Sequence, residues 1–269
     1  MNNNYQPPED PSNSQPPEFQ RDPNIVGRIQ PERIPVKLPD AAPTVTYALM
    51  GITIVVFILQ YATQVLLGYD LVAAYGAKVN NLIAAGQIWR LLTPVFLHGS
   101  IMHIGFNMYA LNLFGRRLEK YFGHWRFLIL YLVAGFGGNV ISMMFTQSPS
   151  LGASTAIFGL LAAQGIFIYQ NRALFGGMSR QALQSIIMVA AINLLIGMSP
   201  GIDNWGHIGG LVAGLIFAWI GGPVLAPEGM YPVTRMVDQR ENRDILLATV
   251  VSGGFFAILA LGALFLMGH

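Results

Sequence analysis

Seven stretches of this sequence, roughly 45–67, 101–115, 126–146, 152–170, 184–199, 206–222 and 245–267, are apolar and continuous rather than alternating. A helix needs about 20 such residues to cross the hydrocarbon of a bilayer, where every backbone N–H and C=O must be bonded within the protein. Continuous runs of this length predict helices and not strands. The fold class that follows is an all-α polytopic membrane protein. Composition agrees, because 53% of the 269 residues are hydrophobic and only 10% are charged, against about 25% charged in soluble domains. A net charge of +2 leaves no basic footprint for nucleic acid, and the absence of cysteine excludes disulfides, a cysteine nucleophile and thiolate metal sites.

Residues 1–43 are rich in Pro, Asn, Gln and charge, cannot bury enough apolar surface to offset their ordering entropy, and are expected to form a disordered tail. They contain no signal-peptide h-region. Arg116, Arg117, Lys120 and Arg126 fall between the second and third runs, Arg172 and Arg180 between the fourth and fifth, and Arg235, Arg240 and Arg243 between the sixth and seventh. The alternate connections, 147–151 and 200–205, carry no basic residue. The positive-inside rule then places the N-terminus in the cytoplasm and the C-terminus outside, with an external connection at 68–100. Residues 44–222 read as a six-helix core, 223–244 as a cytoplasmic linker, and 245–269 as an additional transmembrane helix.

Polar residues at membrane depth are expensive, so they are the informative ones. The seven runs contain no Asp or Glu, which argues against an aspartyl protease, and no HExxH occurs to suggest a zinc protease. Three clusters remain. LHGSIMHIGFNM carries His98, His103 and Asn107, and the last two share one helical face. LGASTAIFG places Ser154 behind Gly152, and NWGHIGGLVAG places His207 at the start of the sixth run. Counting 1.5 Å per residue from the polar ends, Ser154 stands about 24 Å and His207 about 22 Å from the cytoplasmic boundary, with His103 a few Å deeper. Small residues spaced by four, Gly206, Gly210 and Gly214 on one run and Gly152, Ala156, Gly159 and Ala163 on the other, allow close backbone approach. Taken singly, each of these residues also has a structural use, as a packing serine, a hydrogen-bonding histidine or a packing glycine.

Together they resemble the rhomboid family of intramembrane serine proteases over about 45–222. The resemblance rests on Trp89-Arg90, His98, the HxxxN pair His103 and Asn107, the helix-closing Gly115, Glu119 and Gly123, Gly152-Ala153-Ser154-Thr155, and Gly206-His207-Ile208-Gly209-Gly210. It implies a Ser154–His207 dyad without cofactor or metal, in which His103, Asn107 and the Ser154 N–H stabilise the oxyanion. His98, Gly152, Phe158, Trp89 and Arg90 would support the site, Trp89-Arg90 through architecture and Arg90 also at the lipid interface. Asp203 is the alternative orienter of His207. Two positions depart from the common family pattern: Thr155 stands where many members have Gly, and Phe158 where many have Tyr.

The expected function is an endopeptidase of the cell membrane that cuts single-span membrane proteins near the external face. A non-enzymatic rhomboid-like protein that binds transmembrane helices is the first alternative, and a transporter with proton-relaying histidines the second.

Overall fold

The computed structural model describes residues 2, 36–229 and 234–267. Helix α1 (Thr44–Leu67) is followed by a structured connection containing α2 (Leu71–Gly76), α3 (Asn80–Ala84) and two 3-10 turns, Ile88–Leu91 and Thr93–Phe96. Then come α4 (Ile101–Phe122), α5 (His124–Phe145), α6 (Ser154–Gln170), the short α7 (Arg172–Phe175), α8 (Met178–Ile196), α9 (Asn204–Gly221) and α10 (Asn242–Met267). The seven long helices occupy the seven apolar runs. Six of them form the core of an all-α polytopic membrane protein, and α10 is added after it.

By length and composition, α1, α5, α8 and α10 are each able to cross a membrane. The other three are the helices that carry the polar clusters. Helix α6 has 17 residues and so spans about 25 Å, short of the roughly 30 Å of hydrocarbon. Large apolar side chains cover the outside, among them Leu66, Met188, Ile258 and Leu261, all more than half exposed, as lipid contact requires. Inside, Leu111, Phe127, Leu130, Leu160 and Phe217 fill the space between α4, α5, α6 and α9. Helix α9 is central and packs on α5, α6 and α10. Where α9 meets α6, a side chain at Gly210 would overlap the Thr155 carbonyl, and one at Gly214 would overlap the Gly159 backbone. Glycine at both positions therefore sets the α6–α9 distance.

Three boundaries differ from the reading of the sequence. Helix α4 does not stop near Gly115, so Arg116, Arg117 and Lys120 lie on its last turns and not in a connecting loop, and Arg126 lies in the first turn of α5. Buried Leu118 and Phe122 continue its apolar face, and Glu119 turns inward. The Glu119 carboxylate accepts the N–H groups of Val45 and Thr46, both at 2.8 Å, and the Thr46 hydroxyl at 2.7 Å, capping α1. Polar spacing cannot reveal such a use, because the donors lie more than 70 residues away in the chain.

Residues 223–244 are more than a linker. Strand β2 (Leu225–Glu228) pairs antiparallel with β3 (Thr234–Asp238), and β1 (Val36–Lys37) joins β3 in parallel. The sheet is tied down by Arg126, whose Nη1 donates to Asp238 at 2.7 Å, and by Asn171, which bonds the backbone of Pro223 and Leu225. Of the segment read as a disordered tail, residues 1 and 3–35 lie outside the described residues. Its last part is ordered, with the Ala41 N–H on the Lys120 carbonyl and Asp40 paired to Lys120.

Candidate active site

Three helix N-termini converge at one end of the core. Ser154 is the first residue of α6, His207 is the fourth of α9, and His103 the third of α4. The starts of α4 and α9 are fixed by side-chain caps, Ser100 Oγ accepting from the His103 N–H and Asp203 from the Gly206 N–H. Among the described residues no side chain caps α6, which leaves the orphan N–H groups of its first turn at Ser154 without a capping side chain. The Ser154 Oγ lies 2.9 Å from His207 Nε2. Phe158, one turn along α6, stacks on the His207 ring with centroids 4.4 Å apart and planes 14° apart.

Gly152 shapes the approach to Ser154. Its φ of +135° is a conformation that residues with a Cβ avoid. A Cβ there would also lie 2.8 Å from His103 Nε2 and 3.6 Å from Ser154 Oγ, so the glycine leaves His103 room beside the serine. The segment before α6 is irregular, and the two N–H groups nearest Ser154 are bonded within the protein. The Gly152 N–H donates to the Pro94 carbonyl at 2.9 Å, and the Ala153 N–H faces His98 Nε2 at 3.4 Å. Burial, reinforced by His103, pushes the His98 imidazole down to about 3, which keeps it a neutral acceptor. Its ring meets that of His103 edge-on at 5.0 Å.

The remaining residues fall into place less uniformly. Asn107 is buried on the His103 face of α4, but one amide N–H is spent on the His103 carbonyl at 2.9 Å, which leaves its other N–H. Trp89 stacks on Tyr75 and donates Nε1–H to the Tyr75 carbonyl. Arg90 is buried and does not reach the lipid interface. It donates to the carbonyls of Ala77 and Ala74 at 2.7 and 2.8 Å, closing the end of α2. Asp203 does not orient His207. Its carboxylate serves Ser142, Thr146 and Gly206, and the buried His207 Nδ1 has no hydrogen-bond partner among the described residues.

Several supporting residues escape sequence reasoning. Gln60 of α1 clamps His98 by accepting its N–H at 3.0 Å and donating to its carbonyl at 3.2 Å. An amide inside an apolar run was the available signal. Lys78 and Asn80 are buried beneath the loop that leads into α6. Nothing in a loop lysine's sequence setting distinguishes it from a solvated one.

A family model, the Rhomboid domain, matches residues 85–224. The chain belongs to the rhomboid family. This rhomboid is similar to the "Rhomboid protease GluP" of Bacillus subtilis, 42% identical over 177 residues, which are 65% of this chain and 34% of that protein. It is also similar to "RHOMBOID-like protein 6, mitochondrial" of Arabidopsis thaliana, 40% identical over 52% of this chain and 46% of that protein. "RHOMBOID-like protein 2" of the same plant is 41% identical over 58% and 49%. The alignments thus span a third to a half of these relatives. At the first departure from the family pattern, the Thr155 side chain turns away from the serine and packs against Gly138 of α5 and Gly206 of α9. At the second, Phe158 keeps the aromatic stack on His207 without a hydroxyl.

Proposed function

We propose that this rhomboid is an intramembrane serine endopeptidase that cleaves transmembrane segments of single-span membrane proteins through a Ser154–His207 dyad. The observation that carries the reading is the 2.9 Å Ser154 Oγ–His207 Nε2 contact at the meeting point of three helix N-termini. Ser154 Oγ attacks the scissile carbonyl carbon while His207 Nε2 takes its proton. The tetrahedral oxyanion sits against the unspent N–H of Ser154, the His103 ring and the remaining Asn107 N–H. The positive ends of three helix dipoles favour that charge. Collapse breaks the C–N bond, and His207 returns the proton to the leaving amine. Water, with its proton taken by His207, then attacks the acyl ester, and His207 returns that proton to Ser154 Oγ as the ester C–O bond breaks. With Nδ1 unpartnered, the Phe158 stack supplies the orientation that a third polar residue gives elsewhere.

The substrate must present an extended carbonyl to Ser154, so helix-weakening Gly or Pro near the cleavage site favours cutting. The basic residues at the far end of α4, Arg116, Arg117 and Lys120, and Arg172, which opens α7 just beyond α6, support a cytoplasmic N-terminus and a site near the external face of the cell membrane. Residues 44–222 then form the catalytic core and 245–269 an accessory span. A fluorophosphonate probe tests the dyad. It labels the wild type and neither Ser154→Ala nor His207→Ala, and undiminished labelling of Ser154→Ala overturns the assignment.

A further inference from the structure

Lys78 carries a charge into a place where charge is costly, and the reaction described above does not use it. The residue is fully buried in the connection between α2 and α3. Its Nζ donates to the Thr146 carbonyl at 2.8 Å, the Ser148 carbonyl at 2.9 Å and Asn80 Oδ1 at 3.2 Å, so all three ammonium hydrogens are engaged. Its backbone forms a two-bond bridge with Ser150, at 2.9 and 3.0 Å. Asn80 adds bonds from Nδ2 to the Met143 and Thr146 carbonyls. Thr146, Ser148 and Ser150 lie in the irregular stretch that leads through Gly152 into Ser154, and Met143 lies in the last turn of α5. Thr146 is shared: its carbonyl accepts from Lys78, and its hydroxyl donates at 3.3 Å to Asp203, which caps the helix carrying His207.

We propose that Lys78 is a positioning residue for the Ser154–His207 pair, its ammonium holding the 146–150 loop so that the approach to Ser154 and the start of α9 keep one relative placement. Backbone this irregular has no helical ladder to hold it. Two charge-assisted bonds from the ammonium to the Thr146 and Ser148 carbonyls, with a third tying it to Asn80 of α3, supply that restraint. A neutral amine has two N–H donors for three acceptors, so loss of the proton releases one strand of the clamp. The charged group that bears on Lys78 is Asp203, acting through space from the start of α9. From α3 it meets the amide of Asn80, and from the end of α5 and the following loop it meets neutral carbonyls. Burial pulls the Lys78 ammonium down from 10.5 to about 8 against the opposing pull of Asp203. Between those values the unfolded chain holds the proton and the folded chain does not, so this group makes stability rise with pH. Between about pH 8 and 10.5 the contribution of this group to activity therefore falls while its contribution to global stability rises.

The inference rests on the protease reading, and the experiment keeps the two apart. The full chain in liposomes is assayed from pH 6 to 10 with a model transmembrane substrate, as wild type, Lys78→Met and Lys78→Arg. Amide-exchange protection factors for 146–154 and thermal stability are followed in parallel. The wild type is expected to lose kcat above about pH 8 with KM unchanged, protection to fall over the same range, and Tm to hold or rise. Lys78→Met has a kcat lower by about ten- to a hundredfold at all pH values, no alkaline limb, and low protection throughout. Lys78→Arg, which keeps its proton, recovers part of the kcat and shifts the limb upward. Wild-type kcat and protection in Lys78→Met overturn the proposal, as does an alkaline limb that survives the substitution. If Lys78→Met does not fold, flat wild-type kcat and protection between pH 7.5 and 9.5 overturn it instead. A wild type that cleaves nothing and takes no fluorophosphonate defeats the protease reading, while the protection factors still decide the clamp.

Discussion

Gly210→Ala tests whether the α6–α9 distance controls the chemistry. A Cβ at this position falls 2.8 Å from the Thr155 carbonyl carbon and 3.2 Å from its Cα, with the carbonyl oxygen closer still. Ordinary contact begins at 3.4 Å, and the obstacle is backbone that cannot rotate aside. The two helices must part by about an ångström or more. The displacement acts where it matters, since Thr155 follows Ser154 directly and Gly210 lies one turn beyond His207. The 2.9 Å Ser154–His207 contact then opens to roughly 4 Å, outside hydrogen-bond range. Misplacement on this scale costs about 100-fold in rate, and overpacking costs about 1–3 kcal/mol of stability. The assay is the rate constant for fluorophosphonate labelling, read beside Tm in detergent. Gly254→Ala on α10, where a Cβ meets nothing within 4 Å, is the control and should leave labelling unchanged, with Tm equal or slightly higher because Ala is the better helix former. Wild-type labelling by folded Gly210→Ala would refute the reasoning.

Thr155→Gly removes the whole side chain, whose Cβ and methyl pack against Gly138 and Gly206, and loosens the backbone, so it should lower stability by about 1–3 kcal/mol and leave labelling of Ser154 near the wild-type rate. A large gain in cleavage would show instead that Thr155 crowds the site. Phe158→Ala frees the His207 ring and forfeits a stack worth about 0.5–1.5 kcal/mol, with kcat falling by about tenfold while Phe158→Tyr stays near wild type. Equal kcat in all three forms counts against an orienting stack. For orientation, the chain has no cysteine, so single cysteines report without background. In intact cells Ser148→Cys should react with an impermeant maleimide and Gly176→Cys should not, and the reverse pattern inverts the topology.

The seven helices, their order and the candidate residues were readable from the sequence alone, and the reason is the bilayer. Lipid demands continuous apolar runs, so each span announces itself, and a serine or histidine at its end stands out against them. Ser154, His207, His103 and Gly152 are legible on that ground, and the small residues that let α6 and α9 approach are legible by their spacing. What the sequence does not carry is which groups bond to each other across the fold. Glu119 capping α1, Gln60 gripping His98, Arg90 closing α2 and Lys78 holding the loop before Ser154 all act over at least ten residues of chain. No local pattern encodes them. The end of α4 was misread for the same reason, because its last turns are stabilised by partners in α1 and the tail rather than by their own hydropathy. Asp203 illustrates both sides. Its place four residues before His207 makes it a candidate orienter, and only the packing of α5 against α9 gives its carboxylate to Ser142 and Thr146 and leaves the His207 ring to Ser154 and Phe158.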